Sequence, residues 1–259
     1  MKIFVRGGGG LPGSTPESSS GEMTLMEHLE ELRGRMFKIV LAYALACVAA
    51  WFLYSRVLAV LIDPLAKLPI ADQILEDGQL IYTAPTEAFF IRLKVTAFTG
   101  LVFSLPVILW QLWRFVTPGL HRHERRYALP FVVVSLFLFA LGVLTAFLSL
   151  PKALEVLTGF AGTELVLLPR ASDYLSFVLL LVAAFGFSFE FPIILLGLTL
   201  VGVLSSAKLR KARRVAWVII LIVAAIITPT QDPITLAIMS VPLGLLYEGT
   251  ILVARLMKR

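Results

Sequence analysis

Six long apolar segments divide this chain of 259 residues, and they restrict it to one broad class of fold. Most of them are long enough to cross a hydrocarbon core of roughly 30 Å at about 1.5 Å per helical residue. Inside lipid the backbone must satisfy its own hydrogen bonds, so such runs are expected to be helices. The sequence therefore predicts an all-α, polytopic membrane protein with six transmembrane helices, over Met36–Tyr54, Val95–Leu112, Ala128–Leu150, Tyr174–Leu204, Ala216–Thr228 and Ile234–Ala254.

The fifth and sixth spans are expected to be short. Ala216–Thr228 has only 13 residues, which as a helix would reach about 20 Å and fall short of a normal hydrocarbon core. The sixth segment contains Pro242 and Gly244, which predict an interruption. Proline lacks a backbone N–H, so Pro106 and Pro192 are expected to kink the second and fourth spans.

The distribution of basic residues predicts the orientation. Lys and Arg accumulate in cytoplasmic loops of membrane proteins, and here 17 of the 23 basic residues fall before or at the start of the first span, after the second and fourth, and in the tail. The opposite loops hold six basic residues and nine acidic ones. Both termini are therefore expected to be cytoplasmic. This pattern also accounts for most of the net charge of +6, so the charge is no indication of nucleic-acid binding.

The chain divides into a leader, a membrane domain and a short tail. Residues 1–22 are rich in Gly, Ser and Pro and are expected to be a disordered leader, since they offer little apolar surface to bury. Residues 23–255 form the predicted six-span domain and residues 256–259 a cytoplasmic tail. The leader lacks the lysine of a phosphate-binding loop, and His123-Glu124 is not followed by a second zinc-ligand histidine. We therefore expect no cofactor, no metal site and no enzymatic activity.

Three carboxylates require a particular explanation. Glu190 lies midway along the fourth span, where an ionised side chain costs roughly 2.5–3.5 kcal/mol, and such residues are usually functional. The alternative is a carboxyl that only bonds a neighbouring helix. Glu31 and Glu124 lie among basic residues on the predicted cytoplasmic face. Taken alone, each is explained by a solvated salt bridge to a nearby arginine.

Several motifs together resemble the TatC family, the polytopic receptor subunit of the twin-arginine protein translocase. The first is His28-Leu-Glu-Glu-Leu-Arg-Gly-Arg35, which precedes the first span. The resemblance continues through residues 106–126, which include Trp113-Arg-Phe115, and through Phe185-Gly-Phe-Ser-Phe-Glu-Phe-Pro192. It returns in residues 209–214 and 228–233. In effect it covers residues 23–255, with unrelated motifs in the appropriate loops of the same topology.

The resemblance implies a receptor for folded cargo. Glu31 and Glu124 match the acidic residues of the family that engage the two arginines of a signal peptide, and a carboxylate accepts a guanidinium in fork geometry. Arg33 and Phe115 match positions near this site. Glu190 matches the intramembrane carboxyl on the concave side of a cupped bundle, where it would contact the single-span partners TatA and TatB.

The resemblance also implies functional outward-loop positions and a mechanism. Pro64 and Asp232 match positions of structural or functional importance in the outward loops. The mechanism implied is binding and assembly, within a homo-oligomeric complex, driven by the proton gradient. The first alternative to a receptor is a secondary transporter of ions or small molecules that uses Glu190, although polar side chains are scarce at the predicted midplane. The second is a membrane-embedded enzyme, which would lack any recognisable nucleophile or metal cluster.

Overall fold

A computed structural model describes residues 25–67, 79–116, 128–159, 170–227 and 233–256 of the chain. The extended regular elements in these ranges are helices, as predicted. The helices are α1 (Leu25–Ala66), α2 (Pro85–Val116), α3 (Ala128–Gly159), α4 (Ala171–Ser188), α5 (Phe191–Leu200), α6 (Ser206–Lys211), α7 (Arg213–Ile227) and α8 (Pro233–Leu256). The predicted leader 1–22 lies outside the described residues, as does most of the predicted tail.

Five helical segments in the described ranges are long and apolar enough to cross a membrane. They correspond to α1, α2, α3, the α4–α5 pair and α8. Helix α7 corresponds to the predicted fifth span, but its 15 residues leave it shorter than the others. The chain is thus a multi-pass helical membrane protein, while the count of six spans remains a prediction.

The prediction of a short sixth span is wrong. Helix α8 has 24 residues and runs through Pro242 without a break, long enough for a hydrocarbon core at about 1.5 Å per residue. Gly244 has a packing role in this helix, because a Cβ atom there would collide with the ring of Trp217 on α7. Pro106 likewise lies within an uninterrupted α2.

Helices α1 and α2 form the most extensive helix pair. They run antiparallel, because Cys47 contacts Gly100 whereas Trp51, later in α1, contacts Arg92, earlier in α2. The hydroxyl of Tyr43 donates a hydrogen bond to the carbonyl of Ala97 at 3.3 Å. A Cβ atom on Gly100 would lie 2.5 Å from Cys47 Sγ, so the missing side chain lets the two backbones approach closely. We call the end of the bundle where α1 begins and α2 ends the Glu31 end, and the opposite end the Pro64 end.

Helices α3 and α4 cross at two glycines, and this crossing positions a polar contact nearby. A Cβ atom on Gly142 would lie 2.7 Å from the carbonyl oxygen of Phe185, and one on Gly186 would lie 2.7 Å from the ring of Phe139. Close backbone approach at small residues is a common way for membrane helices to pack. The same crossing brings Ser135, two turns from Gly142, against the end of α4.

The fourth span is broken where proline predicted a kink. Helix α4 ends at Ser188, and α5 begins at Phe191 with Pro192 in its first turn. Proline has no N–H to continue the hydrogen-bond ladder and its ring crowds the carbonyl four residues earlier. The turn closes with a bond from Glu190 N to the carbonyl of Phe187 at 3.1 Å. Glu190 therefore occupies the break between two helices.

Candidate functional site

Glu31 is sheltered and already holds a guanidinium group. The Nε atom of Arg35 donates to Glu31 Oε1 at 3.2 Å, and Arg35 Nη2 donates to the same oxygen. The side chains of Arg35 and Glu31 are only 13% and 23% exposed. Glutamate four residues before a cation on a helix is a favourable order for such a pair. The predicted solvated salt bridge is present, although it is more enclosed than an ordinary surface pair.

Phe115 is expected at a similar depth to Glu31. From the contact between Cys47 and Gly100, Glu31 is 16 residues back along α1 and Phe115 is 15 residues forward along α2. At 1.5 Å per residue, both displacements are about 23 Å toward the Glu31 end. Phe115 is half-buried and Arg33 is exposed. Glu124, the second predicted arginine-binding carboxylate, lies outside the described residues.

Glu190 is buried at the break between α4 and α5, with 8% of its surface exposed. Its Oε2 accepts a hydrogen bond from the hydroxyl of Ser135 on α3. Its Oε1 has no hydrogen-bond partner among the described residues. A buried carboxyl oxygen without a partner costs free energy, so this residue offers an acceptor for a donor from another molecule. The hydrogen bond to a neighbouring helix that the sequence left open is present, while the contact of Glu190 with a partner protein remains a prediction.

A groove of about 410 Å³ opens beside Glu190. Ser135, Glu190 and Trp113 are its polar lining residues, and the indole of Trp113 stacks on Phe131 with ring centroids 4.2 Å apart. The rest of the lining is apolar, with Leu and Ile side chains from α2 and α5 predominating. Such a groove suits an apolar helix that carries one hydrogen-bond donor better than a hydrated ion.

Pro64 does not lie in a loop, contrary to the prediction. It is buried inside α1, close to the end of that helix, because α1 continues well beyond the apolar run that defined the predicted span. The hydroxyl of Tyr174 on α4 donates to the carbonyl of Leu61 at 2.9 Å. This bond joins α4 to α1 one turn before Pro64. Asp232 lies outside the described residues.

Glu87 joins the starts of two helices at the Pro64 end. Its role was not predicted from the sequence. Its Oε2 accepts hydrogen bonds from the N–H and the hydroxyl of Thr83, at 2.8 and 3.1 Å. Its Oε1 accepts from the N–H of Ser172 at 3.1 Å. The carboxylate thus caps the first turns of α2 and α4 together, where helix N-termini favour negative charge.

Sequence signals existed for some of the missed residues. A threonine, a proline and a glutamate within five residues, as in Thr83, Pro85 and Glu87, are typical of a helix start. Ser135 interrupts an apolar run, and such a side chain commonly bonds a neighbouring helix in a membrane. Its partner could not be inferred, because that requires the α3–α4 crossing. The described residues include no group of three or more His, Cys, Asp or Glu side chains able to hold a metal ion.

Comparison with known proteins agrees with this architecture. Residues 27–242 match the family described as TatC, Sec-independent protein translocase protein. The chain is 42% identical to a Sec-independent protein translocase protein TatC of Frankia casuarinae over 243 residues, 92% of this chain and 67% of that protein. It is 39% identical to the TatC protein of Aquifex aeolicus over 240 residues, 92% of this chain and 97% of that protein.

Two solved structures are also similar. One is a crystal structure of the twin arginine translocase receptor TatC in DDM, with a TM-score of 0.74 and 38% identity over 88% of this chain and 99% of that one. Another crystal structure of this receptor gives a TM-score of 0.72 and 39% identity over 90% of this chain and all of the other. Proteins of this family are components of a protein translocase and are therefore transport proteins. The chain belongs to the TatC family.

Proposed function

We propose that this chain is the receptor subunit of a twin-arginine protein translocase. In this role it binds the signal peptides of folded cargo at the Glu31 end. The observation that carries the proposal is the state of Glu31, a sheltered carboxylate that already accepts two hydrogen bonds from one guanidinium. A site that holds an arginine of its own chain has the chemistry to hold an arginine of a peptide.

The proposed peptide site combines residues of α1 and α2 with Glu124, which lies outside the described residues. Glu31 and Glu124 accept the two guanidinium groups, while Arg33 and Phe115 form the surroundings. The similar depth of Glu31 and Phe115 along the α1–α2 pair supports this grouping. The apolar side chain of Phe115 would contact the apolar part of a signal peptide, where removal of apolar area from water favours binding.

The Glu31 end is proposed to face the cytoplasm, together with both termini. Support comes from the basic residues of the helix ends and turns there, Arg33, Arg35, Lys38, Arg114, Lys208, Arg210, Lys211, Arg213, Arg214 and Arg255. Cytoplasmic segments of membrane proteins carry this excess of Lys and Arg. The membrane would be the inner or plasma membrane, and the transmembrane proton gradient would drive export.

The groove beside Glu190 is proposed to receive a single-span partner of the TatA or TatB type. A partner helix would fill the apolar groove and donate one hydrogen bond to Glu190 Oε1, which accepts no hydrogen bond from the described residues. The same lining disfavours a secondary transporter, because a substrate site at the midplane usually needs several polar groups. An unchanged export rate in Glu190→Gln would argue that the charge of this residue is not required.

Helix α7 is proposed to complete a six-span, cupped bundle in which its short length thins the bilayer. Its 15 residues span about 22 Å, less than a hydrocarbon core of roughly 30 Å. Its outward face is apolar, with Val215, Val218, Ile222 and Ile226 exposed. This surface suits lipid, a partner helix or a second copy within a homo-oligomeric complex. Pro64 and Asp232 are proposed to have structural or functional roles at the opposite, outer end of the bundle.

Peptide binding to charge variants tests the receptor proposal. The full chain in lipid nanodiscs is titrated with a fluorescent peptide that carries adjacent arginines, and the Glu31→Gln and Glu124→Gln variants are compared with Glu248→Gln. Glu248 is a suitable control, since it also pairs with an arginine, Arg213 at 2.7 Å. We expect at least tenfold weaker binding in the first two variants and unchanged binding in the control. Equal affinity in all three would overturn the site assignment.

A further inference from the structure

Arg35 uses the oxygen of Glu31 that a peptide arginine would also need. Its Nε and Nη2 atoms both donate to Oε1. A bidentate contact between a guanidinium and a carboxylate engages both oxygens with two parallel hydrogen bonds. Because Oε1 already accepts two N–H groups, an arriving guanidinium cannot form that contact until Arg35 leaves.

The other oxygen of Glu31 is buried and has an unused capacity to accept hydrogen bonds. Oε2 has no hydrogen-bond partner among the described residues, although each oxygen of an ionised carboxylate can accept two hydrogen bonds. The carboxylate is therefore held on one side and unsatisfied on the other. Because Oε2 is buried, a peptide arginine can bond both oxygens only after Arg35 swings away and uncovers the carboxylate.

The enclosure of this pair distinguishes it from the other short-range ion pairs on the described helices. Lys67 and Asp63 are 68% and 55% exposed, and Lys152 and Glu155 are 41% and 65% exposed, whereas Arg35 is 13% exposed. Exposed pairs compete with water and contribute little. A sheltered pair is less screened by solvent and salt, so a ligand that must break this pair binds with a measurably lower affinity.

We propose that Arg35 is an internal competitor for the signal-peptide site, a surrogate guanidinium that occupies Glu31 until a peptide arginine displaces it. This inference rests on the proposed receptor function and adds a specificity-determining residue to it. The apparent affinity falls in proportion to the fraction of protein in which Glu31 is free. Arg35 thereby sets a threshold, and weak cationic segments fail to dislodge it.

Affinity measurements on two variants test the proposal. The full chain in nanodiscs is titrated with the same fluorescent twin-arginine peptide, and Arg35→Gln is compared with Lys38→Gln. Lys38 is an exposed basic residue one turn further along α1, so its loss reports the general effect of removing one positive charge. We expect Arg35→Gln to bind the peptide about two- to tenfold more tightly than Lys38→Gln does. Equal or weaker binding in Arg35→Gln would overturn the competitor role, since it would mean that Arg35 only orients Glu31.

Three other variants separate this inference from the receptor proposal and from misfolding. If Glu31→Gln binds as tightly as the wild type, the receptor site itself is wrong; if it binds weakly and Arg35→Gln shows no gain, only the competitor role is wrong. In Glu31→Gln/Arg35→Gln we expect no gain over Glu31→Gln, because no carboxylate is freed. Arg35→Lys keeps the charge but loses the fork geometry of the guanidinium. We expect it to bind the peptide more tightly than the wild type but less tightly than Arg35→Gln, and the gain over the wild type can be measured even if Arg35→Gln proves unstable. No gain in Arg35→Lys would count against the proposal.

Discussion

Replacement of Ser135 with alanine is expected to destabilise the protein by about 1–2 kcal/mol. Hydrogen bonds to charged groups contribute about 1.5–3 kcal/mol in water-soluble proteins, whereas bonds between membrane helices average about 0.6 and reach about 1.7 kcal/mol. The contact with Glu190 falls in the upper part of the membrane range. The carboxyl is 8% exposed, and Ser135 is its side-chain partner among the described residues.

A matched serine on the same helix separates this contact from the general effect of losing a hydroxyl. Ser149 is fully buried on α3, and its hydroxyl donates to the carbonyl of Ala146 in its own helix, at 2.9 Å. Ser149→Ala is therefore expected to cost under about 0.5 kcal/mol. The assay is the free energy of unfolding in a denaturing-detergent titration of the purified protein.

A double-mutant cycle identifies the partner. With Ser135→Ala and Glu190→Leu, each alone and together, we expect a coupling energy of about 1 kcal/mol, because either change alone removes the same hydrogen bond. A coupling near zero, or a cost for Ser149→Ala equal to that of Ser135→Ala, would refute the claim that this bond joins α3 to the break in the fourth span.

Two further predictions concern helix packing and helix ends. Gly142→Ala should lower the free energy of unfolding by about 1–3 kcal/mol, because the new Cβ would lie 2.7 Å from the Phe185 carbonyl oxygen. The control Gly249→Ala should be neutral or stabilising, because the space around Gly249 is open. Equal effects of the two substitutions would contradict the close crossing. Glu87→Gln should lower the thermal unfolding midpoint more than Glu155→Gln, because Glu87 caps two helices through backbone N–H groups while Glu155 is paired with an exposed lysine. A smaller loss in Glu87→Gln would show that the joint cap is unimportant.

The positions of the spans could be predicted because the bilayer imposes a length and an apolar composition. The extent of α1 could not be predicted in this way, since beyond Tyr54 it includes charged residues that the apolar criterion rejects. Because α1 continues beyond Tyr54, Pro64 lies within a helix. Similarly, proline predicted both the break at Pro192 and an interruption at Pro242, but α8 tolerates the missing hydrogen bond at Pro242.

The polar partners depended on information that the sequence did not contain. Helical spacing makes a pair between Glu31 and Arg35 foreseeable, but it cannot indicate that the pair is sheltered. The contact between Ser135 and Glu190 joins residues 55 apart in the chain. It depends on the close crossing at Gly142, which becomes visible only when the two helices are packed together. The carboxyl could thus be recognised from the sequence, whereas its donor could not.

The central claim is that a twin-arginine peptide binds beside Glu31, and photo-crosslinking tests it most directly. A photoreactive amino acid is introduced singly at positions 33, 115 and 82 of the full chain in inverted membrane vesicles. Tyr82 is exposed at the Pro64 end and serves as the control position. The account predicts peptide adducts at 33 and 115 that are lost in Glu31→Gln, and none at 82. Adducts at 82 alone, or adducts at 33 and 115 that persist undiminished in Glu31→Gln, would contradict it.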